Sequence, residues 1–460
     1  MQLPRHGGEI ALIDGGSGEQ WSYRDLANRV ESCAAQMLRS RRCLVLLFSD
    51  RDLAGLVCYL GALCAGHAVY LSPLSLQHPG AASIIENYRP ELILWKGNAA
   101  GGVPPAGYGC HTPLAGYDCA LRYESDDAPP HRDLCIVLST SASTGTSKAV
   151  SLSNRGLAAN AAQIAQALQM SGNDRAITNL PYGYVYGLSV INSHLEAGGS
   201  VTVERRSAAD RAFWQSAAKT RATTIAGVSL TYDYLRALDP CAAALPTVQK
   251  LLHSGDRISL DTLSWLHARF VLNGSKVYLM YGQTEASGRM TVLPPEAFSY
   301  KHPSVGVPVR DGSVEIDSQG QIVYRGPNVM LGYAATREDL SKGDMMGGVL
   351  PTGDLGYLGD GGLLYLTGRL RRRCKVFGRL VNLDDVESYF RDLFPVAAVA
   401  GDGNVLVFCE RPEELPKDRA LRCALTLGIP PQSLLLRGIT ALPRATNGKI
   451  SYAALESSAR

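Results

Sequence analysis

The 460-residue chain has little of what marks several common classes of protein. Its net charge is only +3, which is too small to indicate binding to nucleic acid or to an anionic membrane surface. The eleven cysteines are scattered and form no CxxC pair, and the nine histidines show no metal-ligand spacing. These absences argue against a disulfide framework and a metal centre, and they predict reduced thiols.

Long apolar runs are also scarce. The N-terminal stretch lacks the apolar region of a signal peptide, so we expect a cytoplasmic protein. The segment from Leu53 to Leu71 is nearly long enough to span a membrane, but glycines and His67 interrupt it and the charged residues 50–52 precede it. A span needs about 20 apolar residues without such interruptions. The segment is therefore predicted to be a buried helix followed by a strand, with no membrane span.

Short apolar runs, such as CLVLLFS and GHAVYLS, alternate with helix-like runs through the first half of the chain. This alternation predicts an α/β fold with helices packed on mixed β-sheets. Frequent glycines and short β-like runs predict a β-rich subdomain around 305–370, and the chain beyond about 372 fits a small α+β domain. We therefore expect an N-terminal domain over 1–370 and a C-terminal domain over 371–460.

One hydroxyl-rich stretch, TSASTGTSKA at 140–149, follows the apolar run at 134–138. Hydroxyls and backbone N–H groups can donate to phosphate oxygens, and the single lysine supplies a positive charge. The stretch matches neither GxxxxGK[ST] nor GxSxG, and no motif supports a serine–lysine hydrolase. Taken alone, it fits a Ser/Thr-rich turn equally well.

Further motifs give this stretch a context: YGQTE at 281–285, PTGDLGY at 351–357, TGRLRRRCKVFG at 367–378 and PRATNGKI at 443–450. In this order, the set resembles the adenylate-forming superfamily, which includes acyl-CoA synthetases, adenylation domains of nonribosomal peptide synthetases and firefly luciferase. Weaker similarities at 21–30, 60–74, 180–188 and 225–235 extend the resemblance over nearly the whole chain. Each motif is weak by itself, and the ordered set is specific.

The resemblance implies that a carboxylate attacks the α-phosphate of ATP and expels pyrophosphate, with Mg²⁺ required. Thr284 would contact the α-phosphate, Glu285 would bind Mg²⁺, and Lys449 would reach the α-phosphate and the carboxylate oxygen. The β- and γ-phosphates would be held by Ser141, Ser143, Thr144, Gly145, Thr146 and Lys148. Adenine and ribose would be bound by Ser254, Gly255, Asp256, Tyr281, Gly282, Gln283, Asp354 and Arg369.

The segments that resemble the family's acid pocket are rich in aromatic residues, which fit a protein core equally well. The candidate pocket residues are Tyr182, Tyr184, Tyr186, Gly187, Val228 and Tyr232. Amino-acid-activating relatives place an aspartate in the segment that corresponds to 182–187, and this chain has no carboxylate there. Because an unpaired buried ammonium is costly, we expect an aryl, short-chain or fatty acid and not an α-amino acid.

The family's second step transfers the acyl group to a thiol after the small domain swings about a hinge. The resemblance places this hinge at Arg371 and turns Lys375 and Gly378 toward the site. The acceptor would be coenzyme A or the phosphopantetheine of a separate carrier protein. The alternatives are a stand-alone enzyme that loads an amino acid and a catalytically silent nucleotide-binding homologue.

Several residues depart from the family's pattern. Ala142, Ser147 and Ala149 replace Gly, Pro and Gly in the phosphate stretch, Tyr184 replaces a histidine, and Arg371 replaces Asp or Lys. None of the three replacements in the phosphate stretch removes a donor that the chemistry needs. The histidine of the family helps to position the carboxylate, so the Tyr184 hydroxyl would have to take over that role. We therefore expect an active enzyme, because all six key residues are retained: Lys148, Thr284, Glu285, Asp354, Arg369 and Lys449.

Overall fold

The computed structural model describes residues 7–97, 103–123, 126–139, 149–238, 245–390, 395–414, 418–444 and 450–458. The chain divides into two compact units. Among the described residues, the first comprises those within 7–139, 149–313 and 325–350, and the second comprises those within 314–324 and 351–458. The domain boundary at 371 rests on the predicted hinge and stays a prediction.

A nine-stranded sheet of the first unit has a parallel centre, from β14 to β1, and antiparallel strands at its edges. Parallel neighbours need crossover connections, and helices supply several of them here. In spatial order the strands are β16 Val307–Pro308, β15 Thr291–Val292, β14 Lys276–Tyr281, β13 Lys250–His253, β12 Thr224–Gly227, β10 Arg175–Thr178, β11 Ser200–Val203, β1 Ile10–Asp14 and β2 Gln20–Ser22.

An eight-stranded mixed sheet also belongs to the first unit. Its central strands β3 and β4 are buried at every position, as expected where both faces of a sheet are covered. In spatial order the strands are β19 Gly332–Ala334, β9 Ala149–Ser153, β8 Leu134–Ser139, β4 Ala68–Ser72, β3 Leu44–Phe48, β5 Leu92–Trp95, β7 Tyr117–Arg122 and β6 Tyr108–Leu114.

Six of the eight α-helices described in the first unit begin at polar caps that the sequence supplies. Ser22 and Asp25 form a reciprocal capping box, and the Asp52 carboxylate accepts a hydrogen bond from the Gly55 N–H. The α-helices are α1 Tyr23–Met37, α2 Leu53–Cys64, α3 Pro79–Tyr88, α4 Asn154–Ala167, α5 Val185–Glu196, α6 Arg211–Lys219, α7 Ser229–Ala237 and α8 Leu260–Arg269. Short 3-10 turns lie at Val271–Asn273, Thr284–Ala286, Pro295–Ala297 and Glu338–Ser341.

The second unit contains three sheets and three α-helices in its described residues. The sheets are β17 Ser313–Ile316, β18 Gln321–Arg325, β20 Val349–Leu358 and β21 Leu364–Arg369; β22 Arg373–Val376 and β23 Arg379–Asn382; and β24 Val396–Ala400, β25 Val405–Cys409 and β26 Leu434–Gly438. The helices are α9 Leu383–Phe390, α10 Arg419–Leu427 and α11 Tyr452–Ser458, with 3-10 turns at Asp360–Gly362, Leu370–Arg372, Pro412–Glu414 and Pro431–Ser433.

The mixed α/β class predicted from the sequence is confirmed. The apolar segment that begins at Leu53 forms helix α2 and then strand β4, so the prediction of a buried helix followed by a strand is confirmed. Within the described part of the chain, every helix is too short or too polar to cross a membrane. The runs at 305–370 form strands β16 to β21, as the short β-like runs and frequent glycines indicated, but these strands are divided among three sheets and do not form one subdomain.

Candidate active site

Two predicted nucleotide-binding segments of the first unit follow adjacent parallel strands. Strand β13 pairs in parallel with β14, and His253 lies opposite Leu279. The turn 254–256 therefore begins at the same edge of the sheet as the loop 282–290. Ligands of open α/β sheets bind at the carboxyl ends of the strands, so this edge is where a nucleotide site is expected.

The turn 254–256 is held against the start of helix α7. The Asp256 carboxylate accepts hydrogen bonds from the Ser229 N–H at 3.0 Å and the Ser229 hydroxyl at 2.9 Å, and it lies 3.1 Å from His253 Nε2. Burial acts to raise the pKa of Asp256, but the contacts with His253 and Ser229 outweigh it and lower the pKa. Gly255 has φ +105°, a conformation that favours glycine. The Asp256 side chain thus fixes the turn against the start of helix α7.

The loop after β14 folds tightly on itself. A side chain at Gly282 would overlap the Gly288 carbonyl oxygen, so this position has no room for a Cβ atom. The N–H groups of Ala286 and Gly288 donate to the Gln283 carbonyl at 3.1 and 3.2 Å. The loop therefore holds residues 284–285 on a short 3-10 turn at the strand end.

Glu285, the predicted magnesium ligand, is fixed by neighbours that the motif analysis did not identify. The Tyr333 hydroxyl donates to Glu285 Oε1 at 2.9 Å, and the Met330 N–H donates to the Glu285 carbonyl at 2.8 Å. Tyr333 lies on strand β19, far along the chain, so no local sequence signal pointed to it. The contact leaves Glu285 Oε2 without a protein donor among the described residues.

The donor set at Glu285 fits Mg²⁺, which binds through one or two carboxylates together with waters and substrate phosphates. The described residues contain no cluster of three or more potential metal ligands. A magnesium ion at Glu285 would therefore be completed by the phosphates of ATP and by water.

Among the predicted pocket residues, Tyr186 and Val228 lie beside the turn 254–256. A methyl group built on Gly255 would lie 3.6 Å from Val228 Cγ1 and 4.0 Å from Tyr186 Cδ1. The Tyr186 hydroxyl donates to the Leu252 carbonyl at 2.7 Å. The structure thus groups these two side chains with the predicted adenine-binding turn.

The remaining pocket candidates have different surroundings. Tyr182 donates to the Asp52 carbonyl at 3.3 Å and Tyr232 donates to the Leu252 carbonyl at 2.7 Å, and both are fully buried in the core. Tyr184 is half-buried at the residue before α5, and Gly187 packs so closely on the 180–181 backbone that a Cβ atom would overlap it. Whether these four residues contact the acid stays a prediction.

Arg289 is a buried residue of the same loop that the motif analysis missed. Its side chain is 2% exposed, and its guanidinium carbon lies 4.2 Å from the centroid of the Tyr186 ring. Burial lowers the pKa of Arg289 to about 10, and the contact with Tyr186 opposes that shift. The only signal in the sequence was a basic residue four positions after Glu285, and this spacing by itself indicates nothing.

In the second unit, the two predicted ribose residues are cross-strand partners. Asp354 on β20 lies opposite Arg369 on β21, and Arg369 Nε donates to Asp354 Oδ1 at 3.2 Å. The Arg369 N–H also donates to Asp384 Oδ2 at 3.0 Å. The hairpin thus brings the two side chains together without any other element.

The predicted hinge residue Arg371 lies in the 3-10 turn Leu370–Arg372, next to an anchored arginine. Arg372 donates to Asp384 at 2.7 Å and to Glu387 at 2.6 Å. Lys375 is exposed on β22, and Gly378, with φ +79°, lies in the turn between β22 and β23. Arg372 was not predicted, because its carboxylate partners lie on a helix that only the fold brings near.

The sequence profile of the AMP-binding enzyme family matches residues 1–334. The chain belongs to the AMP-binding enzyme family. This match confirms the resemblance inferred from the ordered motifs.

The AMP-binding enzyme is similar to curated CoA ligases. It is 29% identical over 344 residues to a sulfoacetate–CoA ligase of Cupriavidus necator, a match that covers 70% of this chain and 67% of the relative. It is 30% identical over 286 residues to an oxalate–CoA ligase of Arabidopsis thaliana, a match that covers 56% of this chain and 52% of the relative. The chain thus spans about two thirds of the first relative and about half of the second.

Solved structures share the fold of this AMP-binding enzyme. ATP-bound MatB from Rhodopseudomonas palustris has a TM-score of 0.77 at 21% identity, over 99% of this chain and 96% of that chain. The o-succinylbenzoate coenzyme A synthetase MenE from Bacillus subtilis, in complex with ATP and magnesium ion, has a TM-score of 0.72 at 20% identity, over 98% and 97% of the two chains. These likenesses confirm the predicted fold class over nearly the whole chain.

Some predicted site residues of the AMP-binding enzyme lie outside the described residues. They are Ser141, Ser143, Thr144, Gly145, Thr146, Lys148 and Lys449. Two cavities of about 310 and 530 Å³ in the first unit have linings that include Lys276 and Pro295 in one case, and Asp52 and Arg205 in the other. Neither cavity is lined by a predicted site residue, so we assign the site by the chemistry of the two segments at the sheet edge.

Proposed function

We propose that this AMP-binding enzyme activates a small carboxylic acid with ATP to an acyl-adenylate, releases pyrophosphate, and passes the acyl group to a thiol. The observation that carries the proposal is the adjacent placement of the 254–256 turn and the 282–290 loop at the carboxyl ends of parallel strands β13 and β14. In a member of this family, that placement supports ATP binding at this edge.

The carboxylate attacks the α-phosphorus in line, so catalysis is mainly a matter of positioning and of neutralising charge. The hydroxyl of Thr284 donates to an α-phosphate oxygen in this proposal. Lys148 and Lys449 supply positive charge to the phosphates and to the reacting oxygens. Asp354 accepts hydrogen bonds from the ribose hydroxyls and Arg369 lies beside it.

The Glu285 carboxylate would hold Mg²⁺ in the proposed complex, and the bound ion would offset phosphate charge. The Tyr333 hydroxyl orients Glu285 through Oε1, which reduces the number of side-chain conformations that the carboxylate adopts before ATP binds. Tyr333 is therefore a positioning residue in this proposal.

The acid is not an α-amino acid in our proposal. An ammonium group would need a carboxylate partner, but the charged side chain that stacks on the predicted pocket residue Tyr186 is Arg289, a cation. The names of the relatives, sulfoacetate–CoA ligase and oxalate–CoA ligase, support a small acid over a long-chain fatty acid. Their names also support coenzyme A as the thiol, with a carrier protein as the second candidate.

Thiol transfer requires the C-terminal domain, 371–460, to turn about Arg371 in this proposal. The turn would bring the face with Lys375 and Gly378 to the site. Arg372, which is anchored to Asp384 and Glu387, would move with the small domain and so define the far side of the hinge.

The decisive experiment is acid-dependent exchange between ATP and pyrophosphate, measured over aryl, short-chain, fatty and amino acids. Exchange with one class establishes adenylation, and product analysis with coenzyme A or a phosphopantetheine carrier then identifies the acceptor. No exchange from folded, ATP-binding protein contradicts the proposal and favours the silent homologue.

Lys449→Ala separates an enzyme from a silent homologue. We expect exchange to fall severely while ATP binding, measured by calorimetry, stays close to that of the wild type, because the lysine acts on the reacting oxygens. Unchanged turnover would contradict the role of Lys449. Glu285→Gln should lower ATP affinity only when Mg²⁺ is present, since it removes a charged ligand of the ion.

A further inference from the structure

Arg289 is exceptional among the buried cations of the described residues. Three lysine or arginine residues there are less than 9% exposed: Lys250, Arg289 and Arg337. Lys250 pairs with Asp174 at 2.6 Å, and Arg337 pairs with Glu91 at 2.7 Å. Arg289 has no acidic partner among the described residues, although its side chain is only 2% exposed.

The hydrogen bonds of Arg289 are also incomplete. One terminal nitrogen, Nη1, donates to the Gly288 carbonyl at 2.6 Å, and Nε is buried without a partner. The face of the guanidinium lies on the Tyr186 ring at 4.2 Å. A cation–π contact recovers only part of the free energy that is lost when an ion is removed from water. The protein therefore leaves this cation undercompensated.

The backbone holds the residue firmly in place. The Arg289 carbonyl accepts hydrogen bonds from the Asn160 and Asn328 side-chain amides, both at 2.8 Å. Two buried amides from distant parts of the chain thus fix the main chain that carries Arg289. The guanidinium is held in place for a partner and does not need to be rearranged to meet one.

The position of Arg289 relates it to the proposed acid site. It stacks on Tyr186, and the same ring lies beside Gly255 in the predicted adenine-binding turn. Arg289 also lies four residues after Glu285 along the chain. The acid in an acyl-adenylate must lie next to the nucleotide, so a group bound by Arg289 belongs to the acid substrate.

We propose that Arg289 binds a second acidic group on the substrate, a carboxylate or a sulfonate, so that the enzyme activates one end of a small diacid. The planar guanidinium can donate two hydrogen bonds to such a group, and Nε is the donor that lacks a partner. A monoacid of the same length leaves the cation unpaired. This inference rests on the proposed function, because it assigns the substrate class of that site.

The test compares acids that differ only in the distal group: succinate with butyrate, glutarate with pentanoate, and phthalate with benzoate. Exchange of pyrophosphate is measured with the wild type, Arg289→Met and Arg289→Lys. We expect the wild type to prefer one diacid over its monoacid, and Arg289→Met to lower kcat/KM for that diacid by about 30-fold or more, mainly through KM. Arg289→Lys should recover part of the loss.

A control for the lost charge is Arg310→Met, since the Arg310 side chain is 57% exposed and its ion-pair partner among the described residues is the neighbouring Asp311. It should leave the diacid preference unchanged. A wild-type enzyme that prefers monoacids overturns the proposal. An equal loss for mono- and diacids in Arg289→Met also overturns it, because that result assigns Arg289 a structural role.

Direct binding of the same diacids, measured by calorimetry without ATP, separates this inference from the proposed function. If the wild type binds a diacid, Arg289→Met does not, and no exchange is seen with any acid, the diacid site is supported and adenylation is contradicted. Exchange with monoacids alone would retain adenylation and overturn the diacid site. Absence of both exchange and diacid binding at millimolar concentration would overturn both.

Discussion

Two arginines with little solvent exposure lie on tyrosine rings in different units of the molecule, and their surroundings differ in one respect. Arg289 lies 4.2 Å from the Tyr186 ring in the first unit, and Arg372 lies 3.8 Å from the Tyr452 ring in the second. Arg372 has two carboxylate partners on helix α9, and Arg289 has none among the described residues. The arrangement at Arg372 is complete without a ligand, whereas the arrangement at Arg289 lacks an anion.

The pKa values shift in opposite directions at the two sites. Burial lowers the pKa of Arg289 to about 10. Burial also acts to lower the pKa of Arg372, but Glu387, Tyr452 and Asp384 together outweigh it, so the pKa of Arg372 is raised. A buried arginine therefore supports folding where carboxylates accompany it, and points to a ligand where they do not.

The largest effect on folding is expected from Arg372→Met. This change leaves Glu387 and Asp384 without their cation, and loss of one member of a buried pair costs about 3 kcal/mol or more. Urea unfolding monitored in the second unit should show this loss. Arg411→Met is the matched control, because Arg411 and Glu414 form an exposed pair and such pairs contribute about 0–1 kcal/mol.

The pH dependence checks the cause of that loss. Burial raises the pKa of Glu387, and removing Arg372 should raise it further. A carboxyl group whose pKa is raised by folding stabilises the folded state fully at a pH below 4.5, its pKa in the unfolded chain. This contribution is lost as the pH rises through its pKa in the folded protein. The loss in free energy of unfolding caused by Arg372→Met should therefore become smaller as the pH falls toward 4.5. A deficit that does not vary with pH would indicate lost packing on Tyr452.

The second largest effect is expected from Gly282→Ala, which disturbs the loop that carries Arg289. The new Cβ atom would overlap the Gly288 carbonyl, and overpacking of this kind costs about 1–3 kcal/mol. The rate of ATP–pyrophosphate exchange should fall together with the stability, because residues 284–285 move with the loop. Gly8→Ala is the control, since a Cβ atom there meets no atom within 4 Å. Full activity in Gly282→Ala would show that the loop tolerates displacement.

A smaller effect is expected from Asp256→Asn. Because folding lowers the pKa of Asp256, its carboxylate stabilises the folded state at a pH above 3.8, its pKa in the unfolded chain. This contribution is lost as the pH falls through its pKa in the folded protein. The variant should be about 1 kcal/mol less stable near neutral pH, and the difference should narrow below pH 3.8. Thermal unfolding across this range measures it. If the stability difference between Asp256→Asn and the wild type did not change with pH, the negative charge of Asp256 would not be its cause.

The smallest effect on folding is expected from Arg289→Met. Replacing a buried, unpaired cation by an apolar side chain of similar length is neutral or stabilising, so the free energy of unfolding should change by less than about 1 kcal/mol or rise. Thermal unfolding without ligand measures this change. A large destabilisation would mean that Arg289 is a structural residue like Arg372, and the contrast between the two sites would disappear.

Much of the architecture could be predicted from local patterns. The continuous apolar runs at 44–48 and 68–72 indicated buried strands, since strands covered on both faces show no alternation of polar residues. Ser22 and Asp25 marked the start of α1 as a capping pair does. The ordered motifs also indicated the family, because their residue types are set by the shared chemistry of the site.

The candidate site was only partly predictable. The motifs identified Glu285, Asp354 and Arg369, but not Tyr333 or Arg289, which act through contacts between distant parts of the chain. The aromatic candidates were not separable in the sequence, because a pocket wall and a core have the same apolar composition. All three tyrosines are buried, and only their position in the fold distinguished Tyr186, which lies beside Gly255 of the predicted adenine-binding turn, from Tyr182 and Tyr232.

Residue type and local spacing thus decide the strands, the caps, the glycine turns and the family, because these depend on interactions within a few positions of the chain. The tertiary structure alone decides which charges are paired. The same basic side chain is a structural anchor at Arg372 and an unpaired cation at Arg289, since its role depends on the carboxylates that folding places within a few ångströms of it.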